Sequence, residues 1–223
     1  MTAREVPAPE PPPEAAAVLT ARGLRKSYHR GLFRRRQSVL RGVDLDLRSG
    51  QVVGVIGENG SGKSTLMKIL VGALRADAGT VSHRGRIGYC PQSPQLYPRL
   101  TCDEHFDLFG HAYGLAGEDT ERSRQSLYDE LGFAAYARTR AERLSGGTLA
   151  KLNLALALLP DPELMLLDEP YASFDWDTYQ KFWDLIGERR RAGRAALVIS
   201  HFVVDEERFD RIVAITDGRA ALR

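Results

Sequence analysis

The segment GENGSGKS, residues 57–64, spaces three glycines, a lysine and a serine as G-x-x-x-x-G-K-S. Gly57, Gly60 and Gly62 let successive backbone N–H groups turn inward around phosphate oxygens, where a Cβ would obstruct the approach. Lys63 is placed to reach the terminal phosphates and Ser64 to offer a hydroxyl to Mg2+. Glu58, Asn59, Ser61 and Thr65 complete the cradle. The pattern needs a strand before it and a helix after it. QVVGVIG (51–57) is a short apolar run between turn residues, which reads as a buried strand, and LMKILVGAL (66–74) reads as a helix whose positive end faces the phosphates.

Two further stretches end apolar strands in residues of catalytic type. LMLLDE closes with Asp168, placed like a Walker B aspartate for holding Mg2+, and Glu169, a carboxylate able to orient or deprotonate a water in line with a γ-phosphate. AALVIS (195–200) is followed by His201, whose ring N–H could donate to that phosphate. The carboxyl ends of parallel strands are where such sheets bind ligands, so the three sites are expected at one edge. The other histidines, His29, His83, His105 and His111, read as surface or packing residues.

The elements that must position these groups follow from periodicity. Val43, Leu45 and Leu47 alternate with Asp44, Asp46 and Arg48, so 18–47 predicts antiparallel strands. Thr101 and Glu104 stand at capping-box spacing ahead of a helix to Tyr113. A second helix is predicted from about Thr120 to Leu131, stopped by Gly132. Tyr179, Phe182, Trp183 and Ile186 give a helix with one apolar face. The span 101–159 is almost wholly helical between regions that alternate strand and helix, which predicts a helical insertion in an α/β core.

Composition bounds the partners. The 223 residues, 43% hydrophobic, suffice for one full core, and a formal net charge of +2 gives no reason to expect nucleic acid. Arginines concentrate in HRGLFRRRQSVLR (29–41), but Phe33 is its one interleaved aromatic, so the stretch reads as a solvated loop, or as a contact for anionic lipid or a partner chain. Cys90 and Cys102 lack metal-site spacing and read as free thiols. Residues 1–17 read as a disordered tail. No apolar run reaches the length that spans a bilayer, so work at a membrane requires a separate spanning chain.

Taken in order, residues 57–64, Gln92, LSGGT (144–148), LMLLDE (164–169) and His201 make the chain resemble the nucleotide-binding subunits of ABC transporters from Val18 to the C-terminus. The resemblance implies a P-loop NTPase core with a mainly parallel sheet, an N-terminal antiparallel β subdomain and an inserted helical subdomain. It implies ATP and Mg2+, held at Ser64, Gln92 and Asp168, with Tyr28 stacked on adenine and Glu169, His201 and Lys63 promoting hydrolysis. Two ATP molecules are sandwiched between two such domains in this family. Ser145 would then cap a helix while Gly146 and Gly147 bare its first N–H groups to an ATP held by the opposite chain. Asp175 would help join the subunits, and Lys151 fills a basic position after the signature. Thr148 replaces the glutamine common in the family, which predicts a weaker helix start by up to about 1 kcal/mol.

The function so implied is an ATPase subunit at the cytoplasmic side of the membrane, peripheral to a separate permease and paired with a second ATPase subunit. LYPRLTCDEHFDLFGHAYGL and ALALLPDPELMLLDEP resemble drug- or lipid-type exporters. Two alternatives stand: a soluble ATPase of the same class outside transport, and a nucleotide-binding regulatory half of an asymmetric dimer.

Overall fold

The computed structural model describes residues 17–30, 35–200 and 205–223. The tail expected over 1–17 (all but its last residue), the middle of the arginine-rich loop and His201 lie outside them. Two long strands, β1 (Ala17–Arg30) and β2 (Arg35–Arg48), pair antiparallel, and β4 (Ala78–His83) adds to the other edge of β1. Val43, Leu45 and Leu47 point inward and are buried, as their alternation predicts.

The second sheet runs in the order β5-β6-β7-β3-β8-β9. It comprises β3 (Val52–Ile56), β5 (Ile87–Cys90), β6 (Leu164–Asp168), β7 (Ala195–Ile199), β8 (Arg211–Thr216) and β9 (Arg219–Leu222). All neighbouring pairs are parallel except β8 with β9. Continuous apolar runs such as LMLL suit strands covered on both faces. Val53, Val55, Leu164, Leu166 and Leu197 face α1 (Lys63–Leu70) and the antiparallel sheet. Val52, Met165, Leu167, Ala196 and Val198 face the helices on the other side.

Those helices are α2 (Cys102–Ala112), α3 (Gly117–Leu131), α4 (Gly146–Leu158) and α5 (Trp176–Arg191). The capping box forms as its spacing predicts: Thr101 accepts from the Glu104 N–H and the Glu104 carboxylate accepts from the Thr101 N–H. Helix α3 starts at Gly117, three residues before the predicted Thr120, because an acidic first turn of Glu118 and Asp119 follows an extended Ala116. It ends at Gly132 in the left-handed conformation, as expected. Among the described residues no helix is long and apolar enough to cross a membrane.

Candidate functional site

Strand β3 leads straight into the glycine-rich loop, and its two neighbours bring the other chemistry to the same edge. At Gly57, φ is 154° and a Cβ would collide with the Ile215 carbonyl oxygen of β8. At Gly62, φ is 112° and a Cβ would lie 2.9 Å from Leu40 Cδ2. Side chains are therefore excluded where the loop turns, and Gly62 caps α1 with no side chain across its first N–H groups. A loop lined in this way by backbone alone can receive an anion such as phosphate.

Lys63 is buried under the loop, and its ammonium donates to the Gly57 carbonyl at 2.6 Å and the Glu58 carbonyl at 3.0 Å. Burial lowers its pKa, while the nearby Glu169 and Asp168 carboxylates oppose the shift. These two carbonyls hold the ammonium against the loop.

Asp168, the last residue of β6, is buried, and Glu169 follows with its backbone at φ 51°. A non-glycine residue in that region is uncommon and is retained where its surroundings hold it. Here the Glu169 N–H donates to the Ile199 carbonyl of β7 at 3.0 Å. Across the edge, Gln92 Nε2 donates to Glu169 Oε2 at 2.9 Å. Strand β7, between β6 and β3, ends at the same edge, with the Ser200 N–H donating to the Val55 carbonyl at 3.1 Å; His201, next in the chain, lies outside the described residues.

A cleft of 490 Å³ collects most of these parts, though Asp168 does not line it. Tyr28, Asn59, Gly60, Gly62, Lys63, Ser64, Thr65, Gln92 and Glu169 all line it, and Tyr28 is partly exposed at its wall. Gly57, Glu58 and Ser61 line a groove on the other side of the loop. A hydroxyl at Ser64, a carboxylate at Asp168 and the Gln92 amide are hard oxygen donors that fit Mg2+, which completes its shell with water and phosphate. Among the described residues no group of three or more His, Cys, Asp or Glu side chains could cage a metal without such help.

The family model described as ABC transporter matches residues 40–172. The chain belongs to that family. It is 30% identical to a Nod factor export ATP-binding protein I of Ralstonia nicotianae over 95% of this chain and 68% of that one. It is 27% identical to the linearmycin resistance ATP-binding protein LnrL of Bacillus subtilis, covering 90% and 67%. The human ATP-binding cassette sub-family A member 10 is 31% identical over 92% of this chain, which spans only 15% of that protein's length. A solved ATP-binding subunit of an ABC transporter superposes with a TM-score of 0.83 at 28% identity, covering 92% and 89%. A dimeric cassette in a post-hydrolysis state with ADP and phosphate gives 0.84 at 24%, a likeness of fold.

Other parts of this ABC cassette stand apart from the cleft. Ser145 and Gly146 are exposed at the head of α4, and neither they nor Gly147 line the cleft. Ser145 caps α4 by accepting from the Thr148 N–H at 3.2 Å. Thr148 does not reach back as glutamine would; its hydroxyl lies 3.0 Å from the Ser145 hydroxyl and is buried there. That contact offsets part of the expected weakening. Asp175 is the cap of α5, accepting from the Thr178 N–H at 2.8 Å; its pKa is lowered first by the Thr178 side chain and then by that N–H.

Sequence reasoning had no account of Trp176. It stacks on Tyr179 at 5.5 Å and 23° in the first turn of α5, over a cluster of Tyr171, Phe182 and Trp183 that fastens the segment after Glu169. His105 and Asn153 were also not identified as polar contacts. His105 has no exposed surface and binds two backbone groups, and Asn153 bonds the chain just before Gln92. The signal for Asn153 was present: a lone amide inside the apolar run of α4.

Proposed function

We propose that this chain binds ATP with Mg2+ in the 490 Å³ cleft and hydrolyses it to drive export through a separate membrane-spanning partner. The observation that carries the reading is the convergence on one cleft of a side-chain-free phosphate cradle, a buried ammonium and the Gln92–Glu169 pair. The unit that does this runs from residue 18 to 223, with its helical subdomain at about 101–159. Export is supported by the names of the Nod factor and linearmycin relatives.

Adenine stacks on Tyr28, the loop N–H groups and Lys63 bind the phosphates, and Ser64, Asp168 and Gln92 hold the metal. Mg2+, when bound, draws charge from the phosphate oxygens. Glu169 aligns a water and accepts its proton as the new O–P bond forms, and the bond to the ADP oxygen breaks. His201 donates to the γ-phosphate oxygen, which lowers the cost of its growing charge. Ser145, Gly146 and Gly147 serve the ATP of a second subunit, since they do not line this chain's own cleft. The chain then acts as a peripheral subunit on the cytoplasmic face.

Phosphate release by the purified chain is the direct test. Glu169→Gln should cut turnover by about 100-fold or more while ATP affinity holds, because only the proton acceptor is lost. Turnover that survives this change, or a wild-type chain that keeps its ATP intact, contradicts the reading.

A further inference from the structure

Gln92 lies in an exposed segment that joins β5 to α2, and two buried polar side chains from different helices hold that segment near its ends. At the first end Asn153 of α4 donates from Nδ2 to the Pro91 carbonyl at 2.8 Å and to Cys90 Sγ at 3.2 Å. Burial pushes the Cys90 thiol well up, so the sulfur stays protonated and serves only as a weak acceptor. At the other end His105 of α2 accepts at Nε2 from the Tyr97 N–H at 2.9 Å. Its proton therefore sits on Nδ1, which donates to the Thr101 carbonyl at 2.7 Å.

Leu156 and Ala157, three and four residues beyond Asn153 and so on its side of α4, are buried, and leucine would suit that helix face better than an amide. The cost of burying an amide and an imidazole is met mainly by the backbone groups of Pro91, Tyr97 and Thr101, with Cys90 Sγ at the end of β5 as a weaker partner. Helix α4 also lies so close to β5 that a Cβ at Gly88 would collide with the Ala157 carbonyl oxygen, which leaves Asn153 little room to shift.

We propose that Asn153 and His105 are positioning residues for Gln92, fixing the two ends of its loop so that its amide meets Glu169. The inference about turnover rests on the ATPase reading above; the inference about the loop does not.

Two measurements on the full chain separate these. Hydrogen exchange of the peptide covering 91–100, without nucleotide, should quicken about tenfold in Asn153→Leu and in His105→Phe. His105→Gln, which keeps an acceptor for the Tyr97 N–H, should restore protection. Melting curves confirm that each variant is folded. For turnover, Asn153→Leu should lower kcat about tenfold with the KM for ATP nearly unchanged. In a Gln92→Ala background the same substitution should cost nothing more, because both act through one side chain. Unchanged exchange in the folded variants overturns the positioning role whether or not the chain hydrolyses ATP. Changed exchange with additive losses in the double variant overturns the link to Gln92. A wild-type chain without turnover sinks the ATPase reading, and exchange alone then decides the role of the two residues in the loop.

Discussion

Gln92 Nε2 donates to Glu169 Oε2 at 2.9 Å, although 77 residues separate the two in the chain. The amide thus sits against the carboxylate proposed to accept a proton from water. Gln92→Glu replaces this neutral donor with a second carboxylate at the same distance. Two such groups cannot both stay ionised, and one takes up a proton at higher pH than usual. The acidic limb of the pH profile for turnover should move upward by about one pH unit. An unmoved limb with normal turnover means that Gln92 does not meet Glu169 in the working protein.

Lys63 tests the cradle separately from the fold. Its ammonium is buried, and desolvation is the largest influence on it. Lys63→Met keeps the stem and removes the charge, so the fold loses two bonds to loop carbonyls but no longer buries a cation. The melting temperature should stay within about 3 °C of wild type or rise. ATP binding, followed by calorimetry, should weaken by about 10- to 100-fold, since a charged donor to phosphate is gone. A large fall in melting temperature would assign the lysine to structure.

Gly146 separates helix stability from function. A Cβ there meets nothing within 4 Å, whereas at Gly147 it would stand 3.1 Å from the Ser173 carbonyl. Gly146→Ala should therefore stabilise α4 by about 0.5 kcal/mol, as alanine replaces glycine in an open helical position. The same methyl narrows access to the first N–H groups of the helix. ATP-driven association of Glu169→Gln chains, measured by light scattering, should be lost in the more stable double variant. Association that persists removes these N–H groups from the shared site.

The parts legible in sequence are those whose physics is local. The cradle at 57–64, the Thr101–Glu104 capping box and the apolar strands ending in Asp168 and Ile199 each depend on neighbours a few residues away. Strand order is different: nothing in VVGVI states that it lies between β7 and β8. His105 is likewise indistinguishable by sequence from His111, one turn and a half later on α2, yet one is buried on two backbone groups and the other exposed. Asn153 finds its acceptors 62 and 63 residues away, so its polarity was visible and its purpose was not. Ser145 to Gly147 were readable as a bare helix start, but the ligand proposed for them belongs to another chain.

His105 also makes stability depend on pH. Burial lowers its pKa in the fold below the ordinary value of 6.5, against smaller opposing effects from the Thr101 carbonyl and Glu104, and the half-exposed Tyr97 ring lies 6.1 Å away. As pH falls, the unfolded chain takes up the proton first, so the folded state loses ground from about pH 6.5 downward. The loss continues until pH passes the folded-state value and then levels. Protonation at Nε2 would also set two donors against each other at the Tyr97 N–H, opening the far end of the Gln92 loop. His105→Gln removes this titration and keeps an acceptor. The difference in melting temperature between wild type and variant should shift in the variant's favour between pH 7 and pH 5, and stay flat above pH 7. A difference that is constant across that range means that the imidazole does not titrate with unfolding.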